Sequence, residues 1–176
     1  MSEPATGESD AAPANGESRD AFDLAQELAD DFEALRSASD RFLAASGARP
    51  RVFLANLGPV AVHTARATFA RNFLEAGGIE AVDAGGFDDD ASLVEAFVAS
   101  GATVAVLCSS DAVYADRAVV AAAALRTVGA ARLLLAGHPG ERRADYTDAG
   151  IGAFIHLGVD VLASLRTLHD HLGVSA

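Results

Sequence analysis

The chain contains no lysine: all 13 of its basic residues are arginine. A phosphate-cradling loop of the Walker type needs a lysine beside its glycines, a Schiff base needs a lysine amine, and a kinase needs one to reach the nucleotide phosphates. Those three chemistries are excluded by inspection. There is one cysteine, Cys108, which excludes an internal disulfide framework and any zinc site built from several thiolates. The longest apolar runs, such as Ala118 to Leu125, fall far short of the roughly 20 residues that span a bilayer, so no membrane partner is expected. Positive charge is scarce: 13 arginines against 25 acids leave a net charge of −12, the wrong sign for nucleic acid. The opening MSEPATGESD has neither a basic nor an apolar region, so no secretory leader is expected and a cytoplasmic location is.

What is present suits one domain with an appendage. The chain has 176 residues, 51% of them hydrophobic, enough for a real core. Residues 1–20 are small, acidic or turn-forming and cannot bury enough surface to offset their ordering entropy, which predicts a disordered acidic tail. Residues 21–48 read as a linker or docking helix. Leu24, Leu28, Phe32, Leu35, Phe42 and Leu43 recur mostly at helical spacing from Ala21 to about Ser46, and Gly47 with Pro50 stops the helix.

From residue 49 to 176 short apolar strands alternate with helical periods. Strands are expected over 51–55, 79–82, 103–107, 132–136 and 152–155. Helices are expected over 63–76, from the Asp88-Asp89-Asp90 cluster to Ser100, and over 113–128, 141–149 and 159–172. Gly77, Gly101, Gly129 and Gly150 act as stops. Five βα units with short connections predict an α/β fold: a flavodoxin-like five-stranded parallel sheet of order 2-1-3-4-5, helices on both faces, and an N-terminal helix. A ligand would then sit at the carboxyl ends of strands one and three, where strand order reverses. The turns there are Asn56–His63, Cys108–Asp111, Gly137–Gly140 and His156–Gly158.

The first turn, Asn56-Leu-Gly-Pro-Val-Ala-Val-His63, lacks the paired carboxylates of a response-regulator acid pocket and the Ser/Thr-rich phosphate loop of a flavodoxin. The segment Arg49-Pro-Arg-Val-Phe-Leu-Ala-Asn-Leu-Gly58, its continuation Thr64-Ala-Arg-Ala-Thr-Phe-Ala70, and the phrases Cys108-Ser-Ser110, Leu135-Ala-Gly137 and Phe154-Ile-His-Leu-Gly158 resemble methylmalonyl-CoA mutases and related cobalamin-binding domains. The resemblance covers about residues 40–172 and looks closest to the C-terminal domain of the small, non-catalytic mutase subunit. It implies a cobalamin-binding-domain fold. In cofactor-binding members of the family this loop reads Asp-x-His-x-x-Gly: the histidine ligates cobalt, the aspartate orients it, and the glycine lets the nucleotide tail pass. With Gly58 as anchor, those positions are Val60, Val62 and Ala65 here. Valine has no lone pair, and the Ala65 methyl takes up space near a tail. The resemblance therefore implies a degenerate site with no cofactor, and Val60 and Val62 filling the vacated space.

Several residues carry two readings. His63 lies one residue past the aligned ligand and could reach cobalt by a slip, but Ala61 stands where its orienting acid would be, which favours an ordinary role at a helix start. Ser109 and Ser110 match tail-contacting positions, or close a strand and cap a helix. Gly137 and Gly158 match small residues beside a tail, or serve only as turn glycines. Together, His63, Ser109, Ser110, Gly137 and Gly158 are the candidate cofactor-binding residues; no catalytic residue and no metal ligand is expected. Cys108 reads as an inert buried thiol, Asp111 as a helix cap, and Arg142-Arg143 as a solvated helix end. His169 and His171, two apart on a helix, face different directions.

The resemblance implies a non-catalytic structural or regulatory partner domain, packed against a mutase catalytic subunit or against itself. The chain leaves no room for the barrel that holds the acyl-CoA, so it is expected not to catalyse alone. A cobalamin carrier that binds through shape and tail contacts is the alternative. An unrelated flavodoxin-like signalling domain is disfavoured by the missing acid pocket and lysine.

Overall fold

The computed structural model describes residues 15–175. Its first element, α1 (Asn15–Ser46), is a 32-residue helix. Residues 1–14 of the expected tail lie outside the described residues. Helix α1 nevertheless begins six residues before Ala21, because extending an existing helix adds one hydrogen bond per residue and avoids the cost of a new nucleus.

The α/β body follows in the expected alternation: β1 (Arg51–Leu57), α2 (Val60–Ala76), β2 (Glu80–Val82), β3 (Gly86–Phe87), α3 (Asp90–Ser100), β4 (Val104–Cys108), α4 (Asp111–Thr127), β5 (Arg132–Ala136), a 3-10 turn at Gly140–Arg142, α5 (Arg143–Asp148), β6 (Ile151–Ile155) and α6 (Val161–His171). The sheet order is β2-β1-β4-β5-β6, all parallel, with β3 also paired to β1. This is the flavodoxin-like order read from the sequence, plus one short strand that was not expected. A two-residue strand has no period to read. It exists because β1 runs on to Leu57 and offers Asn56 and Leu57 as partners for Gly86 and Phe87.

Alternation along each strand sorts side chains to the two faces. Phe53, Ala55 and Leu57 of β1, with Ala105 and Leu107 of β4, pack under α3 and α4 around Leu93, Phe97, Ala118, Ala122 and Leu125. Val52 and Leu54, with Val104 and Val106, pack under α1, α2 and α6 around Leu35, Ala70, Leu74, Leu165 and Leu168. Both faces of the central strands are covered, which is why β4 is apolar throughout rather than alternating. The acidic cluster before α3 also acts as expected. Asp89 is the N-cap, accepting from the Ser92 N–H at 2.8 Å. That bond and the Ser92 hydroxyl hold its carboxyl below the ordinary carboxylate range.

Candidate functional site

Five backbone ends meet at the carboxyl edge of the sheet: those of β1, β3, β4, β5 and β6. The outcome there turns on where α2 begins. It starts at Val60, not His63, with Pro59 just before it; a fixed proline φ suits a helix start. The aligned positions 60 and 62 are thus first-turn helical residues, roughly 200° apart around the axis. They cannot line one space together. Val60 points to solvent, 67% exposed, so it does not fill the pocket as expected. Val62 is half-buried, and a Cβ built on Gly58 would lie 3.1 Å from its Cγ2.

The same start places His63 on the inward stripe of α2 with Ala67, Ala70 and Leu74, spaced four, seven and eleven residues on. His63 is 5% exposed. Its Nε2 would lie 2.7 Å from a Cβ on Gly86, so glycine there lets the imidazole rest against the β3 backbone. Neither ring nitrogen has a hydrogen-bond partner among the described residues. The ring thus rests against the β3 backbone and hydrogen-bonds to none of the other candidates.

Ser109 is fully buried, and its hydroxyl donates to the Leu57 carbonyl at 2.7 Å, tying the end of β4 to the end of β1. Ser110 is the N-cap of α4, accepting from the Val113 N–H at 3.3 Å. Asp111 is therefore the first helical residue and not the cap; the preceding serine, in extended conformation, takes that role. Ser110→Ala is expected to lower the unfolding free energy by about 1 kcal/mol, the usual worth of a serine cap. Urea denaturation checks this; no loss would show that the hydroxyl has another role.

The residue the sequence reading passed over is Arg66. From the second turn of α2 its Nη1 donates to the Ala136 carbonyl at 2.9 Å and reaches the Ser109 carbonyl at 3.4 Å. Its Nη2 binds Asp111 Oδ1 at 3.0 Å, and the guanidinium carbon stands 5.7 Å from the centre of the Tyr114 ring. Burial works to lower its pKa, but the Asp111 carboxylate and the Tyr114 oxygen outweigh that and raise it. One side chain thus crosses the ends of β4 and β5. A Cβ on Gly137, whose φ is +145°, would overlap the Arg66 guanidinium. Gly137 is small because an arginine of the same chain lies against it. The available signal was a lone charge in the otherwise uncharged run Val60–Ala70. Spacing alone does not reveal which way so long a side chain turns.

Beneath Arg66 lies Tyr114, 2% exposed. Its hydroxyl accepts from the Ser109 N–H at 2.8 Å and lies 2.7 Å from the Ala136 carbonyl and 3.0 Å from that of Leu107. Burial pushes its pKa well up, and does the same to the Cys108 thiol, which is buried as expected.

Beside Arg66 a cavity of about 430 Å³ is lined by Ala65, Phe69, Gly137, His138, Ile155, His156 and Leu157. Gly137 is the one member of the candidate set that lines it. Gly158 has φ +90° with nothing within 4 Å of a Cβ there, a turn glycine. The His138 and His156 rings meet edge-on, 4.9 Å between centres. His138 Nδ1 accepts from the Gly140 N–H at 3.0 Å, while His156 Nδ1 lies 2.8 Å from the Leu157 carbonyl and donates to it. Arg143 stacks over Phe154 at 5.1 Å, so it is more than a solvated helix end. His169 is buried with Nε2 2.8 Å from the Gly77 carbonyl, whereas His171 is exposed. Among the described residues no cluster of three or more metal-ligating side chains occurs, and no helix is long and apolar enough to cross a membrane.

No family model matches the chain. Individual relatives do. The methylmalonyl-CoA mutase small subunit of Streptomyces virginiae is 49% identical over 144 residues, 82% of this chain and 22% of that protein. That of Porphyromonas gingivalis is 37% identical over 146 residues, 83% of this chain and 22% of that protein. The chain is homologous to the C-terminal part of methylmalonyl-CoA mutase small subunits. It spans about a fifth of the length of these small subunits. That of Propionibacterium freudenreichii subsp. shermanii is 37% identical over 147 residues, 82% of this chain and 23% of that protein. Two solved structures share the fold: a cobalamin-binding protein from Desulfitobacterium hafniense (TM-score 0.55, 18% identity, 79% of this chain and 66% of that one) and a CheY-like protein from Pseudomonas aeruginosa (TM-score 0.53, 18% identity, 72% and 95%). These likenesses show the fold alone, and the site of this homologue of the small subunit has to be read from its own residues.

Proposed function

We propose that this chain is a non-catalytic partner domain of a methylmalonyl-CoA mutase assembly, with a degenerate cobalamin site, and that it associates with a mutase catalytic subunit. The observation that carries this reading is Arg66. Its guanidinium lies against Gly137, the position matched to a tail-clearing residue, and is held there by the Ala136 carbonyl and Asp111. The residues do not fit a histidine-ligated corrin. The aligned ligand is Val62, half-buried on a helical turn, and the neighbouring imidazole of His63 is turned under the helix against Gly86. A cobalt ligand needs an exposed lone pair held at a fixed angle by a second group.

The test is direct. Hydroxocobalamin is mixed with the purified protein, the mixture dialysed, and the visible spectrum recorded. No corrin absorbance is expected to remain. Retained absorbance that disappears in His63→Ala would overturn the reading and identify a slipped ligand.

One observation favours the carrier reading: the 430 Å³ cavity beside Gly137, with apolar walls and two histidines. Corrin retained equally by wild type and His63→Ala, and lost on Gly137→Leu, would establish that alternative.

A further inference from the structure

We infer that the outer half of α1 is a docking ridge for a folded protein partner that offers an apolar groove with arginine or lysine along one rim. Helix α1 is about 48 Å long at 1.5 Å per residue, and the body of the domain covers only its second half. Leu35 and Ala38 are buried, and Leu35 packs in the core with Leu165 and Leu168 of α6. The pair Arg166–Asp31, at 2.8 Å, marks the upper limit of that contact. Above it, residues 19–30 are all exposed.

The exposed turns are not a solvated face. Leu24 and Leu28 precede Leu35 by eleven and seven residues, so they extend the buried stripe in a straight line beyond the domain. Leu24 is 58% exposed and Leu28 44%. Along one flank run Asp20, Asp23, Glu27 and Asp31, at intervals of three or four residues, one acid per turn. An apolar row bordered by an acidic row complements an apolar groove with a basic rim.

Charge also disfavours two ridges packing face to face. From Arg19 to Asp31 there are five acids and one arginine, and the chain has no lysine at all. Two copies meeting ridge to ridge would therefore set one acidic row against another. Like charges three and four apart also weaken an isolated helix, so a basic rim would both hold the ridge and stabilise it. Only the choice of a mutase catalytic subunit as a probe rests on the function proposed above; the chemistry of the ridge does not.

The experiment has two arms. In the first, the full chain is titrated with two synthetic helical peptides sharing one leucine stripe, one rimmed by lysines and the other by glutamates. The lysine-rimmed peptide is expected to bind and to slow amide hydrogen exchange over residues 19–30; the glutamate-rimmed peptide is not. Leu24→Ser with Leu28→Ser, at exposed positions, should weaken binding on the order of tenfold or more. Asp20→Asn, Asp23→Asn and Glu27→Gln together should flatten its salt dependence. Equal binding of both peptides, binding unaffected by the leucine pair, or dimerisation of the free chain through α1 would overturn the inference. In the second arm the probe is a mutase catalytic subunit from the same cell. Binding there that ignores both sets of substitutions also overturns the ridge. Absence of wild-type binding in this arm alone counts against the proposed function and leaves the first arm to decide the ridge.

Discussion

Restoring the cobalt ligand alone, by Val62→His, is expected to leave the protein unable to hold corrin through dialysis. Adding Val60→Asp and Ala65→Gly still falls short while Arg66 remains. A supporting acid is worth about 10–100-fold in metal affinity, but only where acid and imidazole share a side. Here Val60 points to solvent and Val62 lies half-buried a fraction of a turn away. Arg66 is a separate obstacle, since it lies against Gly137 and is held by the Ala136 carbonyl at 2.9 Å and Asp111 at 3.0 Å. Arg66→Gly in the triple background is therefore expected to tighten hydroxocobalamin binding on the order of tenfold or more, equivalent to about 1.4 kcal/mol. Absorbance titration measures it. If the triple variant binds as tightly with Arg66 present as without it, the arginine is not the obstacle.

Tyr114 should give the largest stability effects among the residues of this edge. Tyr114→Phe removes the acceptor of the buried Ser109 N–H, and a buried donor left alone costs about 1–3 kcal/mol. Tyr114→Ala adds a cavity between α4 and the sheet and should cost about 3–5 kcal/mol. The Ala136 carbonyl is shared between Tyr114 and Arg66, so the double variant Tyr114→Phe/Arg66→Ala should depart from additivity by about 0.5–3 kcal/mol. The pH dependence has a definite sign. The folded-state pKa of Tyr114 is raised above its ordinary value of 10.0. Its neutral form therefore supports the fold below that value, and the support is lost as pH climbs beyond it. Wild type should lose stability more steeply above pH 10 than Tyr114→Phe. Chemical denaturation at pH 8 to 11 tests all three statements, and parallel pH profiles would contradict the last.

The order of the sheet was legible because each strand is a short apolar run closed by glycine or by a capping acid, and parallel strands joined by helices allow few arrangements. Gly101 and Asp89 ended and began α3 as such residues do. The helical spacing of α1 likewise predicted a helix. The absence of lysine and of an orienting acid beside position 62 also needed no structure, because a missing functional group is missing in any fold. Three things were decided only in three dimensions. Helix α2 began at Val60 because Pro59 set it there and β1 ran on to Leu57, and that turned Val60 outward and His63 inward. Strand β3 formed because the extended end of β1 had free backbone groups to offer, which no local pattern at Gly86 and Phe87 announces. Arg66 found its partners at Ser109, Asp111 and Ala136, 43 to 70 residues away. A long side chain chooses among carbonyls and carboxylates that only the packed sheet brings within reach, so its direction belongs to the tertiary structure and not to its neighbours in sequence.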